Sequence, residues 1–187
     1  MGAGKSTALQ LLGELGAAVL SSDAVVHELY EQEELRDAMT ARFGPEVAPA
    51  GMVDRAAIAQ RAFASEEERR WLEDTLWPLV GARVAAWLAD VRGEPRATRR
   101  RAAVVEVPLL FEAGMEELYD ATIAVVSTED IRRGRAGERG HVRMDERAGR
   151  QLSQEEKARR ATFVVRNDGT REELRRALSA VLDKLAA

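Results

Sequence analysis

The chain has 187 residues, 45% of them hydrophobic and 32% charged, and a net charge of −4. That balance is ordinary for a globular protein with a sizeable core, and its mild acidity argues against general nucleic-acid binding. With no cysteine, disulfide scaffolds, thiolate catalysis and Cys-based zinc sites are excluded, and two distant histidines, His27 and His141, make a His-rich metal site unexpected.

Ala8, Leu11, Leu12 and Leu15 share one helical face, which predicts a helix from Lys5 to Leu15 that stops at Gly16. A short buried strand is expected at 17–20, ending at Ser21-Ser22-Asp23, with a helix from Ala24 to about Glu31 after it. Residues 33–93 are mostly helical in pattern, punctuated at Gly44-Pro45, at Pro49 to Gly51 and at Trp77-Pro78. Arg96 to Arg101 reads as a charged connector. The most apolar segment, 103–111, predicts a central strand over 103–107 that meets Pro108. Residues 121–126 form a further strand, and charged helices follow at 129–139 and 145–160 around a loop at 140–144. A last strand is expected at 162–165, then a turn at Asn167-Asp168-Gly169. The final amphipathic helix, 171–185, places Leu174, Leu178, Val181, Leu182 and Leu185 on one face. Strands alternating with helices indicate an α/β fold with a mainly parallel sheet. No apolar run approaches the roughly 18–20 residues of a membrane span. Lys5, Gln10 and Glu14 interrupt any signal-peptide core. A cytoplasmic location without a membrane partner is therefore expected.

The motif that carries chemistry is Gly2-Ala3-Gly4-Lys5-Ser6-Thr7. It matches the end of the phosphate-binding loop G-x-x-x-x-G-K-[ST]. Glycine lets backbone N–H groups turn towards phosphate oxygens, and the helix that starts here adds its positive end. Lys5, one of three lysines in the chain, would reach the β- and γ-phosphates, and the Ser6 hydroxyl would complete a Mg²⁺ shell. The first glycine of the pattern and the strand that normally feeds the loop are not among these residues. A short glycine-rich start to a helix is the plain alternative.

Further motifs carry a resemblance over essentially the whole chain. These are Leu15-Gly16 with Val19 to Asp23; Arg42-Phe43-Gly44; Asp54-Arg55 through Phe63-Ala64; Trp71-Leu72-Glu73 through Pro78; Pro108-Leu109-Leu110-Phe111-Glu112; Gln151 with Glu155 to Lys157; and Asn167-Asp168-Gly169-Thr170. Together with the loop they resemble the dephospho-coenzyme A kinase family. The resemblance implies a single P-loop kinase domain over 1–187, a three-layer fold on a five-stranded parallel sheet, a helical substrate region at 32–95 and a helical lid at 128–160. Four strands are counted here; the fifth, central in such folds, would precede the loop, so the chain reads as starting late relative to the family. The implied reaction moves the γ-phosphoryl group of ATP, with Mg²⁺, to the ribose 3′-hydroxyl of dephospho-coenzyme A, the last step of coenzyme A synthesis.

By the same resemblance, Asp23 is the base or the acceptor that orients the hydroxyl; the residues alone favour an N-cap for the following helix. Glu106 ends a strand where an acid holds Mg²⁺ through water. Arg139 and Arg147 are favoured among the lid arginines Arg132, Arg133, Arg135, Arg139, Arg147 and Arg150, the remainder reading as a solvated face laced with Glu138 and Glu146. Asn167 and Gly169 would lie beside the adenine. Ser21 and Trp77 depart from the family, which has Asp and His there. Another P-loop small-molecule kinase is the first alternative, and an inactive nucleotide-binding fragment the second. Asn167-Asp168-Gly169 is not the N-K-x-D signature of a GTPase. No nucleic-acid partner is expected, and oligomeric state is not legible.

Overall fold

The computed structural model describes residues 2–95, 100–138 and 151–185. Helix α1 (Lys5–Glu14) closes on Gly16, whose φ of +92° is easy only for glycine. There the Gly16 N–H bonds Gly13 O and the Ala17 N–H bonds Leu12 O, both at 3.0 Å. Strand β1 (Ala18–Ser21) follows directly, then α2 (Ser22–Leu29), α3 (Glu33–Phe43), α4 (Arg55–Ala62) and α5 (Glu66–Gly93). Next come β2 (Ala103–Glu106), β3 (Ile123–Val126), α6 (Glu129–Glu138), α7 (Gln154–Arg160), β4 (Phe163–Arg166) and α8 (Arg171–Leu185). Every strand lies within two residues of its expected place, and the architecture is α/β.

The chain divides into two compact units, Met1–Val19 with Pro95–Ala187, and Leu20–Glu94. In the first, β3 and β4 pair in parallel, with Ile123 opposite Phe163 and Val126 opposite Arg166. The Ala18 N–H donates to Ala102 O at 2.8 Å where β1 meets β2. Leu11 and Leu12 of α1, Val165 of β4, and Leu174, Leu178 and Leu182 of α8 make one buried cluster. Val19, Val104, Ile123 and Val125 pack against it, so strands of both sheets share a single apolar layer. Leu185 of the expected α8 stripe is exposed, since it is the helix's last residue.

The second unit is built on a helical core of Val25, Leu29, Leu35, Met39, Phe43, Val47, Ile58, Ala62 and Leu76. Trp71 meets Phe43 edge-on at 5.3 Å. The expected break at Trp77-Pro78 does not occur, because α5 runs unbroken through Pro78. Apolar anchors on both sides of the proline hold the helix on course: Trp71, Leu72 and Leu76 before it and Val80 after it pack on the same core.

Other expectations are corrected. The described strands form two two-stranded sheets, β1 with β2 and β3 with β4, rather than one continuous sheet. The resemblance assigns the central position to the strand before the loop, and none of the described strands takes it. Helix α2 starts at Ser22 with Ser21 in the cap position, so Asp23 stands inside the first turn and is not the cap. Of the helix expected over 145–160, residues 145–150 lie outside the described residues, and the described helix α7 starts at Gln154. Ser153 Oγ accepts from the Glu156 N–H while Glu156 returns its carboxylate to the Ser153 N–H, a capping box that sets the boundary. Residues 151–153 before it are not helical.

These placements generate measurable expectations. Ser153→Ala removes the cap of α7 and should lower stability by about 1 kcal/mol in denaturant unfolding. Burial raises both tyrosine pKa values in the folded chain, Tyr30 to about 12 with Arg55 opposing the shift, and Tyr119 in the same direction. An unfolded tyrosine ionises near ~10. The stability due to Tyr30 is therefore complete below that pH and is lost as pH rises towards 12. Absorbance at 295 nm should show Tyr30 still un-ionised at the ordinary tyrosine midpoint until the protein unfolds.

Candidate phosphate-binding site

Gly2 and Gly4 both take the left-handed backbone, with φ of +80° and +90°. Sterics with neighbours add to that demand. A Cβ on Gly2 would lie 2.7 Å from the Arg132 carbonyl oxygen, and one on Gly4 would lie 2.1 Å from Asn167 Nδ2. Only glycine lets the backbone pass this close at either position.

Gly4 is also the N-cap of α1, without any side-chain cap, and the first turn holds no acid. Every other α-helix among the described residues has an acid in its first turn or, in α4, an Asp54 cap. A helix N-terminus carries about half a positive charge. The other described α-helices place a carboxylate at that end, and the first turn of α1 does not, a feature of helix ends that bind anions. Lys5 opens this turn, half-buried, with the exposed Ser6 hydroxyl and half-buried Thr7 beside it.

Asn167 follows β4 directly and is 6% exposed. Its Nδ2 donates to the Ala3 carbonyl at 2.8 Å. Its own backbone is held three times: Asn167 N–H to Val126 O at 2.8 Å, and its carbonyl by Ser127 Oγ and Arg135 Nη1, each at 3.1 Å. Next to it, Asp168 accepts from the Thr128 N–H at 2.7 Å. The ends of β3 and β4 are thereby locked together against the loop. Sequence reading grouped Arg135 with a solvated face and did not single out Ser127. Their signal was tertiary, since neither has a local partner that would mark it.

Gly169 makes room for Glu173, whose Oε2 would lie 2.0 Å from a Cβ there. The Glu173 carboxylate accepts from the Thr170 N–H at 2.7 Å and caps α8, and this bond holds its pKa below the ordinary carboxylate range. Glu112, in the Pro108 to Glu112 segment, accepts from Lys157 Nζ at 2.7 Å and from the Leu152 N–H at 3.1 Å. It joins the turn after β2 to the start of α7.

Glu106 is the last residue of β2 and half-buried. Asp23 is exposed in the first turn of α2, in the second unit. Arg139 and Arg147 lie outside the described residues.

A glycine-built loop opening an uncapped helix, set on an α/β core, defines a nucleotide-phosphate-binding protein of the P-loop class. The family model CoaE, dephospho-CoA kinase, matches residues 1–173. Over 99% of this chain and 88% of its relative, it is 39% identical to the dephospho-CoA kinase of Deinococcus radiodurans. It is 34% identical to that of Geobacillus kaustophilus, over 96% of this chain and 90% of the relative. A solved Thermus thermophilus protein, TT1252, superposes with a TM-score of 0.79 at 34% identity, covering 100% of this chain and 94% of that one. The chain belongs to the dephospho-CoA kinase family.

The loop geometry makes a contrast between two glycines. Gly4→Ala should abolish ADP binding, measured by calorimetry. Gly81, inside α5 with nothing within 4 Å of its Cβ position, should accept alanine with unchanged binding and a stability gain of roughly 0.5–1 kcal/mol.

Proposed function

We propose that this chain transfers the γ-phosphoryl group of ATP to the ribose 3′-hydroxyl of dephospho-coenzyme A, giving coenzyme A and ADP. Family membership carries the reaction. The observation that carries the site is the N-terminus of α1, the one described α-helix with neither an acid in its first turn nor a capping side chain.

In this reading the loop amides and Lys5 hold the β- and γ-phosphates. Phosphoryl transfer leaves little covalent work to the protein, so alignment and charge neutralisation supply most of the catalysis. Asp23 accepts a hydrogen bond from the attacking hydroxyl and takes its proton as the bond to phosphorus forms. Arg139 and Arg147 are assigned to the triphosphate by resemblance alone.

The donor set suits Mg²⁺. No group of three His, Cys, Asp or Glu forms a metal cage among the described residues. A hydroxyl and a strand-end carboxylate are the sparse, hard-oxygen set used by an ion that takes its remaining ligands from water and substrate phosphate. Ser6 and, through water, Glu106 would hold it. Bound there, the ion would neutralise charge developing on the phosphoryl oxygens. Other small-molecule P-loop kinase activities are not favoured by the family match. No helix among the described residues is long and apolar enough to cross a membrane.

Product mass spectrometry tests the reading. Incubation with ATP, Mg²⁺ and dephospho-coenzyme A should give coenzyme A, with adenosine and shikimate unchanged as controls. Lys5→Ala and Asp23→Asn should each abolish turnover in a chain with the wild-type circular dichroism spectrum. Near-normal turnover in Asp23→Asn would remove Asp23 from the proton-accepting role.

A further inference from the structure

We propose that Asn167 is a positioning residue for the phosphate loop, acting through the Ala3 carbonyl, and that Arg135 braces it from α6. The inference rests on the nucleotide-binding reading of the loop and assigns Asn167 a different place from contact with the base.

Four observations converge on this residue. It is a nearly fully buried polar side chain at the end of β4. Its amide donates to the loop across 164 positions of sequence, at 2.8 Å. Its backbone is fixed by Val126, Ser127 and Arg135. Gly4 lacks the Cβ that would collide with this amide at 2.1 Å. A buried side chain whose own backbone is held by three hydrogen bonds is a rigid post. By taking the Ala3 carbonyl as its acceptor it turns that oxygen towards β4, and a peptide plane so fixed cannot rotate its carbonyl towards an incoming phosphate. Rotation would replace an inward donor with an acceptor and repel the anion.

Arg135 extends the post to α6. Its guanidinium reaches the Asn167 carbonyl, and its Nη1 is also the third-nearest atom to the Gly4 Cβ position, at 3.9 Å. The Arg132 carbonyl, one turn earlier, lies against Gly2. Both loop glycines therefore lean on groups from the β4 end or from α6. A shift of α6 along its axis would be felt at the phosphates.

The test uses the full chain with Asn167→Ala, Asn167→Asp and Arg135→Ala. Asn167→Asp keeps the side-chain shape but replaces the donor with an acceptor, so it separates loss of the bond from loss of packing. Both Asn167 variants should raise the ATP KM and the ADP Kd by roughly tenfold, the worth of one such bond. The KM for dephospho-coenzyme A should stay unchanged. Amides of residues 3–8 should exchange hydrogen faster with no nucleotide present, and Arg135→Ala should move the same readouts less far.

Wild-type loop exchange and wild-type ATP KM in folded Asn167→Asp would overturn the assignment. So would an equal rise in both KM values, which marks a general structural defect. Lost ADP affinity with unchanged loop exchange would put Asn167 in direct contact with nucleotide instead, and would also overturn it. A wild-type chain that binds no nucleotide would sink the functional reading, while the exchange comparison would still decide the role of Asn167.

Discussion

The phosphate loop depends on the passage of two glycines against groups that are not free to move. Gly4 faces the Asn167 amide and Gly2 faces a helix backbone, each nearer than any side chain would permit. The apolar layer beneath α1, β3, β4 and α8 sets that approach. Leu11 and Leu12 anchor one element, and Val165 with the α8 leucines anchors the others. A loop of small residues has little packing of its own, so its shape is borrowed from the strand ends beside it. Buried polar groups at those ends are hydrogen-bonded to each other, which makes the borrowed shape specific.

Charge is distributed on the same logic. Most helices here begin with carboxylates, and α7 and α8 close theirs into capping boxes with Ser153 and Thr170. These bonds hold Glu156 and Glu173 below the ordinary carboxylate range. Helix α1 departs from the pattern with a bare N-terminus and a lysine at its first position. A helix end whose first turn carries no acid keeps its local positive potential even in an acidic chain. Such a local potential needs no global positive charge.

The second unit shows how tertiary packing overrides a local breaker. Proline in a helix interior costs about 3 kcal/mol or more, yet α5 continues through Pro78. The anchors on either side must align on one face to reach the core of α3 and α4, and an unbroken helix is the geometry that does so. The Arg42 guanidinium lies over the Trp71 ring at 5.5 Å and bonds Glu67 and Glu68, so even the charged face of α5 is tied to α3.

Periodicity and turn chemistry by themselves determined the α/β order, the four strands, the Gly16 stop and the stripe on α8. Each of these depends on residues close together in sequence. The phosphate loop was legible for the same reason, since its chemistry sits in six consecutive residues. Two helix starts were legible in principle as Ser153 to Glu156 and Thr170 to Glu173. Periodicity ran across the first at residues 151–153, which are not helical, because the charged sequence around them continues a helical pattern. Tertiary structure alone decided three things. It split the strands into two pairs, because strand pairing depends on neighbours distant in sequence. It carried α5 through Pro78, because burial on both sides outweighs one missing hydrogen bond. It placed Asn167, Ser127 and Arg135 around the loop, because a hydrogen bond across 164 positions leaves no local trace in the order of residues.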